Sequence, residues 1–224
     1  MRQAEGQHRP SLIIIAALTA LWLIAASFRL LLLPPITGLL AENTVNDGLS
    51  PLTHAQLVEV AEAGRAFVAG KQGATLPAGD DERVAFPPDV VGHMEDVRSV
   101  LTGTQIALVL LTILLLVSGV YAWRRAGRRL VGSGLFVGAL AAVATTLLLG
   151  AIGALNFNAL FTTMHRLFFA EGTWLFSEDS LLICAYPLGF WIGMGVIWAL
   201  ALLIASALLA VCGILLRRGP ASTR

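Results

Sequence analysis

Four stretches of this chain are apolar for about twenty residues or more, and nothing else in it limits the fold as strongly. They cover residues 11–33, 104–123, 130–154 and 188–216. A bilayer's hydrocarbon core is about 30 Å thick and takes roughly 20 apolar residues to cross as a helix. Runs of this length cannot be solvated as loops, and in lipid every backbone N–H and C=O must be satisfied internally. The expected fold is therefore an all-α membrane protein with four transmembrane helices. Composition agrees: 57% of the 224 residues are hydrophobic and 13% charged, against about 25% charged in soluble domains. A net charge of +1 offers no footprint for nucleic acid. Two cysteines cannot build a disulfide framework.

The scarce charges are sorted along the chain, and basic residues near span ends mark the cytoplasmic side. Arg2 and Arg9 precede the first span, and Arg124, Arg125, Arg128 and Arg129 crowd the turn at 124–129. Arg217, Arg218 and Arg224 follow the fourth. Residues 34–103, in contrast, hold ten acids against Arg65, Lys71, Arg83 and Arg98. Residues 155–187 hold Glu171, Glu178 and Asp179 against Arg166. This predicts cytoplasmic tails at 1–10 and 217–224, with the two longer loops outside as a small extracytoplasmic cap. Residues 11–33 are too long for a cleaved signal's apolar core, so the first span is read as retained.

The first outer loop is too long for a mere connector. Ser50 and Pro51 read as the start of a helix reaching Ala69 and closed by Gly70. A Gly/Pro/Asp-rich excursion, residues 71–83, follows. Pro87-Pro88-Asp89 then opens a second helical run, 90–101, that feeds the second span. On that run Asp89, His93 and Asp96 share a face by helical spacing. A carboxylate one turn from a histidine can fix its tautomer and stabilise the imidazolium; a solvated, salt-bridged helix end has the same spacing. The second loop sets His165 and Asp179 among Phe161, Phe168, Phe169, Trp174 and Phe176. An aromatic belt accounts for Trp174 and Phe168. It leaves His165 and Asp179 without a role, and polar groups near lipid are costly unless paired or used.

At these residues the chain resembles a known family. His93-Met94-Glu95-Asp96-Val97-Arg98 matches one family motif, in which the basic position is commonly lysine. His165, Phe168, Phe169, Trp174, Asp179, Leu182-Ile183 and Pro187 match a second. Together they resemble the four-span bacterial membrane family that includes lipoprotein intramolecular transacylase, Lit. The resemblance implies an enzyme at the outer face of the bacterial cytoplasmic membrane, acting on diacylglyceryl-modified lipoproteins in contact with membrane lipid. It would move an O-acyl chain from the diacylglyceryl group to the α-amine of the same lipidated cysteine. His93 and His165 would be catalytic, without cofactor or metal. An α-amine is mostly protonated at pH 7, so a base near neutrality helps. His93, oriented by Asp96 or Asp89, is assigned as that base. His165 would polarise the ester or protonate the leaving alkoxide, and the two parts can be exchanged. Asp179 would hold the ammonium or cap the next segment. Arg98, Trp174, Phe168 and Arg29 are candidate substrate contacts.

Three alternatives use other chemistry. Cys184, nineteen residues after His165, would be the nucleophile of a ping-pong acyltransferase. His93, Asp96 and His165 would be the ligands of a hydrolytic metal, although no H-E-x-x-H helix exists. A non-catalytic sensor or assembly protein would use the aromatic loop for contacts and the histidines as a pH switch.

Overall fold

The computed structural model describes the backbone of residues 2–218, with side chains from residue 9 onward. The side chains of Arg2 and Arg224, which entered the charge argument, lie outside the described set. Eight helices form among the described residues: α1 (Arg2–Leu30), α2 (Pro34–Thr44), α3 (His54–Val68), α4 (Pro88–Ala126), α5 (Arg128–Leu155), α6 (Phe157–Phe168), α7 (Leu181–Ala185) and α8 (Leu188–Arg218). One isolated bridge, Ala78 with Phe86, is the only β pairing among them. Helices α1, α4, α5 and α8 are each long and apolar enough to cross a membrane. On α4, Ile106, Val109, Leu110, Ile113, Leu116 and Val117 are all more than half exposed. Lipid can cover such a surface without penalty; water cannot.

The chain divides into two compact units. Among the described residues, the first comprises 2–28, 106–151 and 199–218. Small residues let its helices approach closely, as in membrane bundles generally. Gly134 lies against Ile15, and Gly138 against the Ala16 carbonyl and Thr19, so α1 seats directly on α5. Gly132 and Gly213 do the same for α5 and α8. Trp22 Nε1 donates to Thr112 Oγ1 at 2.9 Å, joining α1 to α4.

The second unit comprises residues 29–105 and 152–198 and holds both histidines. Its local structure departs from the sequence reading in two places. Pro34-Pro35, directly after the first apolar run, would end its helix by sequence, yet the pair also occupies the first turn of α2, where a missing N–H costs nothing. Helix α3 starts at His54 rather than near Ser50, because Thr53 and Gln56 form a reciprocal capping box. That box satisfies two backbone donors at once. Ser50 instead accepts from Leu52 N in a short turn. Gly70 does close the segment, at φ +73°. The run expected at 90–101 belongs to one continuous helix, α4.

Ala41, Leu57, Ala61, Phe86, Val90, Met94, Leu181, Cys184, Tyr186 and Phe190 form the unit's core. Polar groups inside it are paired. Tyr186 Oη donates to the Ala61 carbonyl at 2.6 Å, and Arg65 pairs with Glu62 while donating to the Leu32 carbonyl at 2.9 Å. Together they lock α3 to α7 and to the turn before α2. Gly189 and Gly193 face Thr44 and Leu40 of α2. Gly64 leaves room for the Tyr186 hydroxyl, which a Cβ would strike. Gly64→Ala should therefore destabilise the protein by about 1–3 kcal/mol, read as an earlier unfolding transition in detergent. Adding Tyr186→Phe should recover part of that loss.

Candidate functional site

His93 sits on the second turn of α4 and His165 on the last turn of α6. Helix α6 forms because Asn156 caps it, accepting from Ala159 N at 2.9 Å. Phe157, Phe161, His165 and Phe169 recur every fourth residue and share one face. Both histidines are buried, 8% and 7% exposed. Their rings lie face to face, centroids 6.2 Å apart and planes 22° from parallel. Phe169 (5.0 Å) and Phe176 (5.6 Å) touch His93. Phe161 (4.0 Å), Trp174 (4.9 Å) and Phe169 (5.5 Å) touch His165. Two loops far apart in sequence thus build one aromatic box around an imidazole pair.

Hydrogen bonding distinguishes the two rings. His165 Nδ1 lies 2.9 Å from the Phe161 carbonyl. A carbonyl only accepts, so Nδ1 carries the proton and Nε2 keeps its lone pair. His93 Nδ1 is buried with no protein partner, and so is Trp174 Nε1. Burial is the main reason His93 is pushed down to about 4. Repulsion from His165 adds to it, and Asp96 opposes it weakly. Burial also lowers His165, against the opposing effect of its bond to Phe161. At neutral pH both rings are uncharged.

The remaining sequence candidates divide. Trp174 joins the box. Asp96 is exposed and acts on His93 only through its charge. Asp89 is exposed and accepts from Val90 N at 2.9 Å, closing the start of its own helix. Neither carboxylate hydrogen-bonds an imidazole, so the expected carboxylate orientation of His93 is replaced by ring packing. Asp179 is half-exposed and pairs with Arg83 Nε at 3.7 Å; the cap of α7 is Ser180 instead. Arg98 lies over the Phe67 ring at 5.1 Å, and Arg29 is half-buried in the last turn of α1. Phe168 is half-exposed and meets only Phe169 among the rings. Cys184 is fully buried. Its thiol points at the Glu178 carbonyl and is pushed up chiefly by burial, the reverse of an activated nucleophile. No three His, Cys, Asp or Glu side chains gather into a metal-holding group among the described residues.

Several positions that matter were not singled out as site residues from the sequence. Phe169 and Phe176, rather than Phe168, line His93. Their four-residue spacing from His165 signals Phe169, but no local pattern marks Phe176. The 71–83 excursion is tied down: Phe86 N donates to the Pro77 carbonyl at 2.6 Å, and the Phe86 side chain is buried. Ser177 donates to the Glu82 carboxylate at 3.1 Å, and Leu181 N donates to the Glu82 carbonyl at 2.7 Å. Glu82 and Arg83 therefore clasp the segment that follows Trp174 and Phe176.

The family profile described as "Lipoprotein intramolecular transacylase Lit" matches residues 11–191. Among solved structures, the membrane-integral lipoprotein intramolecular transacylase Lit from Bacillus cereus is similar in fold. The TM-score is 0.76 at 17% identity, over 95% of this chain and 96% of that one. Two further structures of that protein carry one substituted histidine. The form with arginine gives a TM-score of 0.70 at 16% identity, over 96% and 94% of the chains. The form with alanine gives 0.73 at 16% identity, over 96% of each. Compared with curated protein sequences, the chain has no significant match.

The lowered imidazoles make stability depend on pH with a definite sign. Between 6.5 and about 4 the unfolded chain binds a proton at residue 93 that the folded chain refuses. Stability is therefore complete above about 6.5 and declines as pH falls toward 4. The thermal midpoint in detergent should fall on acidification from pH 7 to 4.5. His93→Gln should flatten that dependence, and an unchanged slope would refute the assignment.

Proposed function

Because the chain belongs to the Lit family of lipoprotein intramolecular transacylases, we propose that it moves an O-acyl chain from a lipoprotein's diacylglyceryl group to the α-amine of the same N-terminal cysteine. Family membership makes the chain an acyltransferase integral to the membrane, through its four apolar helices. The particular reaction, the acting residues and their side of the membrane are the proposal. The four apolar stretches cross the bilayer with both termini cytoplasmic, as the arginine distribution favours. The two outer loops, which hold His93 and His165, then form a small extracytoplasmic cap, where lipidated N-termini are displayed.

One observation carries the mechanism: two buried, uncharged imidazoles face each other, and only His165 has its tautomer fixed. With Nδ1–H given to Phe161, His165 Nε2 is the available base. This exchanges the parts assigned from sequence. The amine lone pair attacks the ester carbonyl carbon, the carbonyl π pair moves to oxygen, and the amine proton passes to His165 Nε2. As the carbonyl re-forms, the C–O bond to glycerol breaks. His93 gives its ring proton to the departing oxygen and is reset by the proton held on His165. One ester and one amine become one amide and one hydroxyl.

Donor and acceptor belong to one molecule, so positioning supplies much of the acceleration; effective molarities of about 10⁵ M or more are attainable. A protein nucleophile is unnecessary. Phe169, Phe176 and Trp174 offer an apolar wall for the substrate beside the histidines, and Phe168, Arg98 and Arg29 are rim contacts for lipid and headgroup.

The product is an isomer of the substrate, so intact mass cannot report it. Purified protein with a synthetic diacylglyceryl lipopeptide should yield a product whose N-terminal fragment carries the acyl chain, by tandem mass spectrometry. Mild alkali should then release one chain rather than two. His93→Ala and His165→Ala should each lower turnover by about 100-fold or more. Cys184→Ala should retain it. Wild-type turnover in the double histidine variant would overturn the mechanism.

A further inference from the structure

Trp174 places a buried hydrogen-bond donor beside His165 that no protein group accepts. Tryptophan's indole N–H can only donate. Such a donor loses its hydration on burial and gains nothing in return, so it needs a cause. Packing does not supply one, since phenylalanine would fill an aromatic wall without the penalty. The wall is otherwise built of Phe161, Phe169 and Phe176, and the single indole stands on the ring whose Nε2 is the available base.

The proposed transfer creates one charge that neither histidine neutralises directly. When nitrogen attacks, the carbonyl oxygen becomes an oxyanion while His165 is taking the amine proton and His93 faces the departing glycerol oxygen. We infer that Trp174 Nε1–H is the donor for that oxyanion. The inference rests on the transacylase reading and adds a catalytic residue to it. A preorganised donor in a water-poor site stabilises charge more than it would in water. It is also weaker toward the neutral ester than toward the anion, so it acts on the transition state rather than on binding. Its bond forms only when substrate arrives, which accounts for its unpaired state in the free protein.

Two substitutions remove the N–H: Trp174→Phe, and incorporation of β-(3-benzothienyl)alanine at 174, which keeps the bicyclic shape. With the diacylglyceryl lipopeptide, both should lower kcat by about 10²–10³-fold while KM changes little. The thermal midpoint of the benzothienyl variant should equal or exceed wild type, because an unpaired donor has been removed and the shape kept. A kcat at wild-type level would overturn the inference, and so would a loss of activity that tracks a loss of stability. A second probe needs no turnover: a phosphonate analogue of the lipopeptide, whose charged oxygens stand in for the oxyanion. It should shift one indole N–H resonance of the wild type, identified by its disappearance in Trp174→Phe, and bind the benzothienyl variant at least tenfold more weakly. Equal binding would overturn the inference whatever the turnover. Wild-type protein that binds the phosphonate with that shift but forms no amide would count against the transacylase reading alone.

Discussion

Desolvation of the His93–His165 pair is the constraint on which the rest of the second unit depends. Two imidazoles 6.2 Å apart and out of water cannot both carry charge, since burial and mutual repulsion oppose it. The arrangement needs a surrounding that excludes water without offering hydrogen bonds to the charged form. Aromatic rings meet that need, and four of them, Phe161, Phe169, Trp174 and Phe176, close on the pair. The carboxylates nearest in sequence stay at the surface, where they influence charge without fixing geometry. A hydrogen-bonded carboxylate would have raised the histidine's pKa and favoured the protonated ring, which accepts no proton.

Holding that box together falls to contacts well away from it. Tyr186, Arg65 and Glu62 fasten α3 to the neighbouring segments through buried hydrogen bonds. Glu82 and Arg83 fasten the excursion to residues 177–181. Each polar partner here is satisfied, and satisfied buried networks specify a single arrangement. His93 Nδ1 and Trp174 Nε1 contrast with that clasp: both are buried in the same box without a protein hydrogen bond. Two such atoms side by side in one aromatic box fit a ligand's needs better than poor packing.

The sequence disclosed what depends on length and local pattern. Apolar run length alone identified the four long helices, since lipid leaves no alternative backbone solution. Loop composition drew attention to His93, His165 and Trp174. Local signals misled where two readings share one motif. A proline pair both terminates and initiates helices, so α2 was missed; Ser50-Pro51 and Thr53-x-x-Gln56 are both helix starts, and the capping box won. Non-local geometry was not legible. Nothing near His93 in sequence announces Phe176, and Tyr186 finds its acceptor 125 residues away. The apparent face shared by Asp89, His93 and Asp96 illustrates the limit most clearly. Helical spacing set the three side by side, but only tertiary packing decided that the imidazole turns inward and the acids remain in solvent.

Under the proposed reaction, charge sorting and site chemistry follow from one requirement. A substrate whose acyl chains stay in the bilayer and whose amine does not must be met at a boundary, by groups that tolerate both surroundings. Neutral histidine and tryptophan satisfy this: each has an apolar ring and a polar edge, and neither needs a counter-ion. Thirteen of the fourteen acids fall in residues 34–103 and 155–187, yet none hydrogen-bonds the imidazole pair. Their division of labour is solubility and clasping at the surface, with the buried centre left to uncharged donors and acceptors. An intramolecular transfer suits such a centre. It begins and ends with neutral ester, amine, amide and hydroxyl, and charge exists only between, where two rings can pass a proton and an unpaired N–H can meet the oxygen.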